Sequence, residues 1–180
     1  MVKLMNIPMT GHAGFINPDG EALLNAELPK MIEILRSYEV YIKLISNGYL
    51  FNDFDYFSML KECDEVIGEL AVVTEKDFVE LQRPMEDYTL QQYITNMTEF
   101  SKQYHGKFVL AVNILKNYTD LYEAVELLGK YIYKINPDLI YLETPRSKKL
   151  KGAFSVNKEK LKLIRKQLKN IIGCKSITIV

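Results

Sequence analysis

The chain has 180 residues, 48% of them apolar and 26% charged, and its 23 basic and 23 acidic side chains balance to a formal net charge of zero. That length and apolar share fit a single globular domain spanning 1–180 with a real core, and the charge balance argues against bulk attraction to nucleic acid or an anionic membrane. No apolar run approaches the ~18 residues that cross a bilayer. The opening stretch, with one Lys and an interrupting Pro8, makes a poor secretory signal. Two distant cysteines, Cys63 and Cys174, exclude a disulfide-rich scaffold and point to a reducing, cytoplasmic setting.

Strand-like and helix-like segments alternate along the whole chain. Gly14-Phe15-Ile16 is a short apolar run stopped by the turn signal Asn17-Pro18-Asp19-Gly20. Leu23 to Tyr38 reads as a helix, with Pro29 near its start and Leu28, Met31, Ile32 and Leu35 at helical spacing. Val40 to Ile45 is β-branched and apolar, a strand ended by Ser46-Asn47-Gly48. A short helix over Asp53–Glu62 precedes a third strand, Asp64–Leu70, and a further short helix, Glu75–Leu81, stops at Arg83-Pro84. Tyr88–Tyr104 has the clearest helical stripe, capped by Asp87 or Thr89 and closed by His105-Gly106 with the glycine in a left-handed cap. The strand Lys107–Leu115, the helix Thr119–Lys134 broken by Asn136-Pro137-Asp138, and the strand Leu139–Leu142 follow. A Lys- and Arg-rich loop over Thr144–Gly152 leads to a helix that Asn157 caps, running to about Asn170, and to a last strand, Ser176–Val180.

Strands joined through helices of this length require parallel crossovers. The near-continuous apolar strands predict a parallel sheet covered on both faces. The fold class is therefore α/β with a mainly parallel sheet of five to six strands, either an open doubly wound sheet or part of a β/α barrel.

In such folds ligands sit at the carboxyl ends of the strands. The residues there are Asn17 to Glu21, Ser46-Asn47-Gly48, Glu69-Leu70-Ala71, Asn113 to Lys116 and Glu143 to Arg146, a polar set with no Cys and no His. No P-loop, dinucleotide fingerprint, H-E-x-x-H or zinc spacing occurs. Nucleophilic triads lack support because His12 and His105 stand in the wrong contexts.

The order of these loops resembles that of radical SAM proteins. Phe15 to Glu21 followed by Ala22-Leu23-Leu24 is similar to their G-E-P-T-L loop, and Leu44 to Gly48 to the T-N-G end of their third strand. Thr74–Pro84, Phe100–Lys107 and Ile135–Asp138 match further motifs of archaeal-type members, so the likeness covers roughly Gly14 to Leu168. The resemblance implies a (β/α)6 partial barrel that holds S-adenosylmethionine (SAM) against a [4Fe–4S] cluster. It further implies that Gly20 and Glu21 meet the methionine ammonium, where a carboxylate supplies both acceptor and counter-charge, and that Ser46 and Asn47 add polar contacts to the cofactor.

The departures are as informative. The family's C-x3-C-x2-C, whose three thiolates leave one iron open, has no counterpart among these 180 residues, so no [4Fe–4S] cluster is expected from this chain alone. The expectation is a chain that begins just before the family's second strand. Ala22 replaces the usual Pro, and Ala71 stands where an acid is frequent. Three readings follow: a radical SAM-related barrel silent alone in radical chemistry, the C-terminal piece of a split oxidoreductase of that kind completed by a cluster-bearing segment, or an interaction module. Exposed sheet edges at Gly14–Ile16 and Ser176–Val180 call for a partner chain or a homo-oligomer. A metal-free enzyme using Glu21 and Glu143 is a further possibility without a specific reaction. The lysines between Lys148 and Lys169 form the one candidate face for RNA, more simply read as a solvated surface. Both cysteines read as inert small hydrophobes.

Overall fold

The computed structural model describes residues 13–180 except 18, 19, 86 and 174, and leaves the Lys148 side chain undescribed. The readings made on residues 1–12, Pro18, Asp19 and Cys174 therefore lie outside the described residues.

Among the described residues six strands, β1 (Ala13–Ile16), β2 (Tyr41–Ile45), β3 (Glu65–Leu70), β4 (Lys107–Asn113), β5 (Leu139–Glu143) and β6 (Ile177–Ile179), form one sheet in the order 1-2-3-4-5-6. Every pair is parallel. The order decides between the two architectures the sequence left open. A doubly wound sheet reverses direction at a switch point, whereas strands always added on the same side, with one handedness of crossover, stack every helix on one face. This is a barrel portion.

The helices are α1 (Leu28–Ser37), α2 (Phe54–Leu60), α3 (Glu75–Asp77), α4 (Leu90–Gln103), α5 (Tyr122–Ile135), α6 (Lys148–Phe154) and α7 (Lys158–Ile172). Their buried faces join Ile42, Leu44, Val66, Leu70, Phe108, Leu110, Val112, Ile140 and Leu142 in one core on the convex side of the sheet. The other face carries no helix among the described residues, contrary to the expectation of two covered faces. Its apolar cluster has Ile67, Val109 and Ala111 buried, with the partly buried Ile45, Leu139 and Tyr141 packed against them. Below that cluster Glu65, only 1% exposed, is flanked by Lys43 (3.1 Å) and Lys107 (3.0 Å), side chains in register on the neighbouring strands. Two cations offset the cost of a carboxylate removed from water.

Several local expectations change. The segment expected as one helix over Leu23–Tyr38 splits into a 3-10 turn, Ala22–Leu24, and α1, with Pro29 in the first turn of α1 where its missing N–H costs nothing. The Lys-rich loop contains α6, because Ser147 caps it by accepting from the Leu150 N–H. α4 starts at the Thr89–Gln92 capping box and ends on Tyr104 in an extended conformation. Gly106 is needed for close approach rather than for a left-handed cap: a Cβ there would lie 2.9 Å from the Asp64 carbonyl oxygen. Arg83 is a stop, as expected, but for a π-helical turn, Phe78–Gln82, that it closes in the left-handed region at φ 47°.

Candidate functional site

The carboxyl ends of β1, β2 and β3 meet at one rim. After β1 the chain passes through Gly20, whose φ of 110° suits glycine, to Glu21, whose Oε1 accepts the Leu23 N–H (3.0 Å) and so caps the 3-10 turn. Its other oxygen, Oε2, accepts the Asn47 N–H (2.8 Å) from the turn after β2. The half-buried Glu21 therefore stitches two strand ends together, and each of its oxygens keeps a free lone pair.

The turn after β2 is held by its own side chains. Ser46 Oγ, buried, accepts the Gly48 N–H (3.1 Å), and Asn47 Oδ1 accepts the Tyr49 N–H (3.0 Å). Gly48 takes φ 88°, a conformation that a side chain resists. These bonds occupy the polar atoms of Ser46 and Asn47 in local structure, and their remaining capacity is what a ligand could use.

Tyr93, on α4 and fully buried, reaches this rim from the convex side. Its hydroxyl donates between the carbonyl oxygens of Asn47 (2.6 Å) and Glu69. Burial pushes the phenol well above its ordinary range, so it remains a donor. The ring packs on Tyr49 (4.9 Å between centroids) and Phe78 (5.5 Å).

On the concave side the rim is acidic. Burial raises the Glu69 carboxyl, and the Glu143 and Glu21 charges raise it further. Burial also raises Glu143, while Arg146 and a hydrogen bond from Asn113 pull it down. Asn113 and Glu143 are register partners on β4 and β5. Glu21 and Glu143, paired in the metal-free reading, thus both act on Glu69. Glu69, named among the strand-end residues but given no role there, lies on the same face of β3 as Glu65 and Ile67. Tyr93 was missed because it sits in the apolar stripe of α4. The available signal was a phenol where Phe would pack as well, since a buried hydroxyl needs a partner.

The rim suits one of the two groups that the sequence resemblance implies better than the other. SAM fits in part: it carries an ammonium and a sulfonium, and the rim offers carboxylate lone pairs and a negative surplus. A [4Fe–4S] cluster does not fit the described residues. Cys63 is buried with its thiol pushed up to about 12, chiefly by desolvation, and lies before β3, at the end of the sheet away from the rim. A buried, protonated thiol is a poor iron ligand. Among the described residues no group of three or more His, Cys, Asp or Glu is placed to hold a metal ion, and no helix is long and apolar enough to cross a membrane.

This partial barrel is the fold of radical SAM enzymes. The chain superposes on a domain of pyruvate-formate lyase-activating enzyme from Bacteroides vulgatus with a TM-score of 0.69 and 14% identity, covering 94% of this chain and 99% of that one. It superposes on Streptococcus suis SuiB bound to S-adenosylmethionine (0.69, 11%, covering 93% and 39%) and on a radical SAM methyltransferase from Sphaerobacter thermophilus (0.67, 14%, covering 89% and 48%). At such identities the likeness shows the fold alone. In sequence the chain is 29% identical over 127 residues to UPF0026 protein MJ1312 of Methanocaldococcus jannaschii, which is 71% of this chain and 40% of that protein. It is 28% identical over 149 residues to a GTPase Obg of Brachyspira hyodysenteriae, 82% of this chain and 22% of that protein. The chain therefore spans well under half the length of these relatives. No protein-family model matches it.

Proposed function

We propose that this chain is a radical SAM-related barrel portion whose rim holds the methionyl end of SAM and which, by itself, does not perform radical chemistry. Glu21 takes the ammonium on its free lone pairs, and Gly20, Ser46 and Asn47 line the approach. Radical chemistry at this rim would need a partner segment that carries an iron–sulfur cluster and supplies the electron for reductive cleavage of the sulfonium, with methionine as the leaving group. This chain's own residues bind and orient the cofactor. The observation that carries the reading is the single carboxylate, Glu21, bonded at once to the turn after β1 and to the Asn47 N–H, with acceptor capacity to spare. The silence in radical chemistry is supported by the absence of three clustered thiolates from these 180 residues.

Calorimetric titration with SAM, before and after anaerobic treatment with iron and sulfide, tests both parts. The expected result is saturable binding with a dissociation constant at or below ~1 mM, weakened about tenfold by Glu21→Gln through loss of a charge-assisted hydrogen bond. Iron uptake should be substoichiometric, with no SAM cleavage. No heat at millimolar SAM defeats the cofactor site, and a full [4Fe–4S] complement with turnover defeats the claim of silence.

A further inference from the structure

We propose that Tyr93 is a positioning residue of the rim: its buried hydroxyl fixes the Asn47 main chain, and through it the Glu21 carboxylate that faces the ligand. The inference rests on the SAM reading for the identity of the ligand, but the coupling itself stands on geometry.

The turn after β2 presents one residue, Asn47, with both of its main-chain polar groups committed in different directions. Its C=O accepts from the Tyr93 hydroxyl (2.6 Å), and its N–H donates to Glu21 Oε2 (2.8 Å). Asn47 is therefore a lever between α4 and Glu21. Within the turn the other contacts, Ser46 Oγ with the Gly48 N–H and Asn47 Oδ1 with the Tyr49 N–H, fix its internal shape. The Ser46 N–H, donating to the Ile67 carbonyl oxygen (3.0 Å), and the Tyr88 hydroxyl, donating to the Tyr49 carbonyl oxygen (3.3 Å), hold the two sides of the turn, and neither touches the Asn47 peptide group that meets Glu21. The only side chain from the helical layer bonded to the Asn47 carbonyl, among the described residues, is Tyr93. The same hydroxyl shares its one proton with the Glu69 carbonyl oxygen, so the phenol sits astride the ends of β2 and β3, strands already joined by their own ladder.

Tyr93 is itself held rigidly. It is completely buried, packed on Tyr49 and Phe78, and rooted in the first turn of α4. That turn is anchored by the capping box and by Glu75, whose Oε2 accepts the Leu90 N–H (2.9 Å). A phenol at such a site does what phenylalanine cannot: the ring supplies the packing and the hydroxyl supplies the position. Glu21 needs that help because it is only half-buried and its own helical turn is three residues long.

The test is Tyr93→Phe, which keeps the ring and removes only the hydroxyl, titrated with two probes. SAM carries the aminocarboxypropyl group that Glu21 would meet, and 5′-methylthioadenosine lacks it. The expected result is SAM binding weakened about tenfold, with methylthioadenosine binding unchanged. The double variant Tyr93→Phe, Glu21→Gln should bind SAM no more weakly than Glu21→Gln alone, because both changes remove one interaction. A merely structural role would lower thermal stability without altering the ratio between the two ligands, and that result, equal loss for both ligands, or additive losses would overturn the proposal. If the native protein binds no SAM, the cofactor reading fails and amide hydrogen exchange decides the coupling. Exchange at the Asn47 N–H should rise at least about tenfold in Tyr93→Phe relative to the amides of β4; unchanged exchange there would overturn it.

Discussion

Burial holds the Glu69 carboxyl above its ordinary range, and the nearby Glu143 and Glu21 carboxylates push it the same way. An acid whose folded pKa is raised binds its proton more tightly in the folded state than in the unfolded one, so its contribution to stability is fully present at low pH and is lost as pH rises through the folded pKa. Glu69 thus costs stability near neutrality and nothing below the ordinary glutamate range of ~4. Glu69→Gln should raise the urea midpoint near neutrality, with the gain vanishing on acidification. A midpoint that is unchanged or lowered at neutral pH would mean that Glu69 is paired with a cation. The residue scale is also where the sequence was least legible. Glu21 and Asn47 could be singled out because turn residues mark the strand-end loops and two of those loops resemble the cofactor loops of radical SAM proteins. That Glu21 bridges two loops, and that a core-stripe tyrosine on α4 anchors the second, depends on side-chain reach across the fold, which spacing does not encode.

The alternation of β-branched runs with helical stripes carried the order of the elements, and caps such as Thr89 and Asn157 marked true helix starts. α6 was hidden because a Lys-rich stretch reads as solvated loop, although Lys, Leu and Ala are good helix formers once Ser147 caps them. The packing of α5 on α7 depends on a feature that periodicity cannot show. A Cβ at Gly129 on α5 would lie 2.8 Å from two carbons of Ile171 on α7, so the glycine permits the helices' close approach. Gly129→Ala trades better helix propensity against overpacking. The clash should prevail, destabilising the protein by about 1–3 kcal/mol in urea unfolding. A stabilised variant would show that Ile171 shifts freely and that the contact is loose.

At the scale of the whole molecule, the parallel sheet was legible and its one-sided cover was not. Ile67, Val109 and Ala111 are apolar on the concave face as well as their neighbours on the convex one, and from sequence such a face looks the same as one covered by helices. The result is a trough with an ion-paired floor at Glu65, an apolar middle, and an acidic upper rim where Glu21, Ser46 and Asn47 converge. The most direct measurement on the claim that this rim is the ligand site is an amide chemical-shift titration of the whole chain with SAM. The expected result is saturable shifts concentrated at Gly20, Glu21, Ser46 and Asn47, with the convex core and the Lys158–Ile172 helix unmoved. Shifts that cluster elsewhere, or a rim that stays still at millimolar SAM, would contradict it.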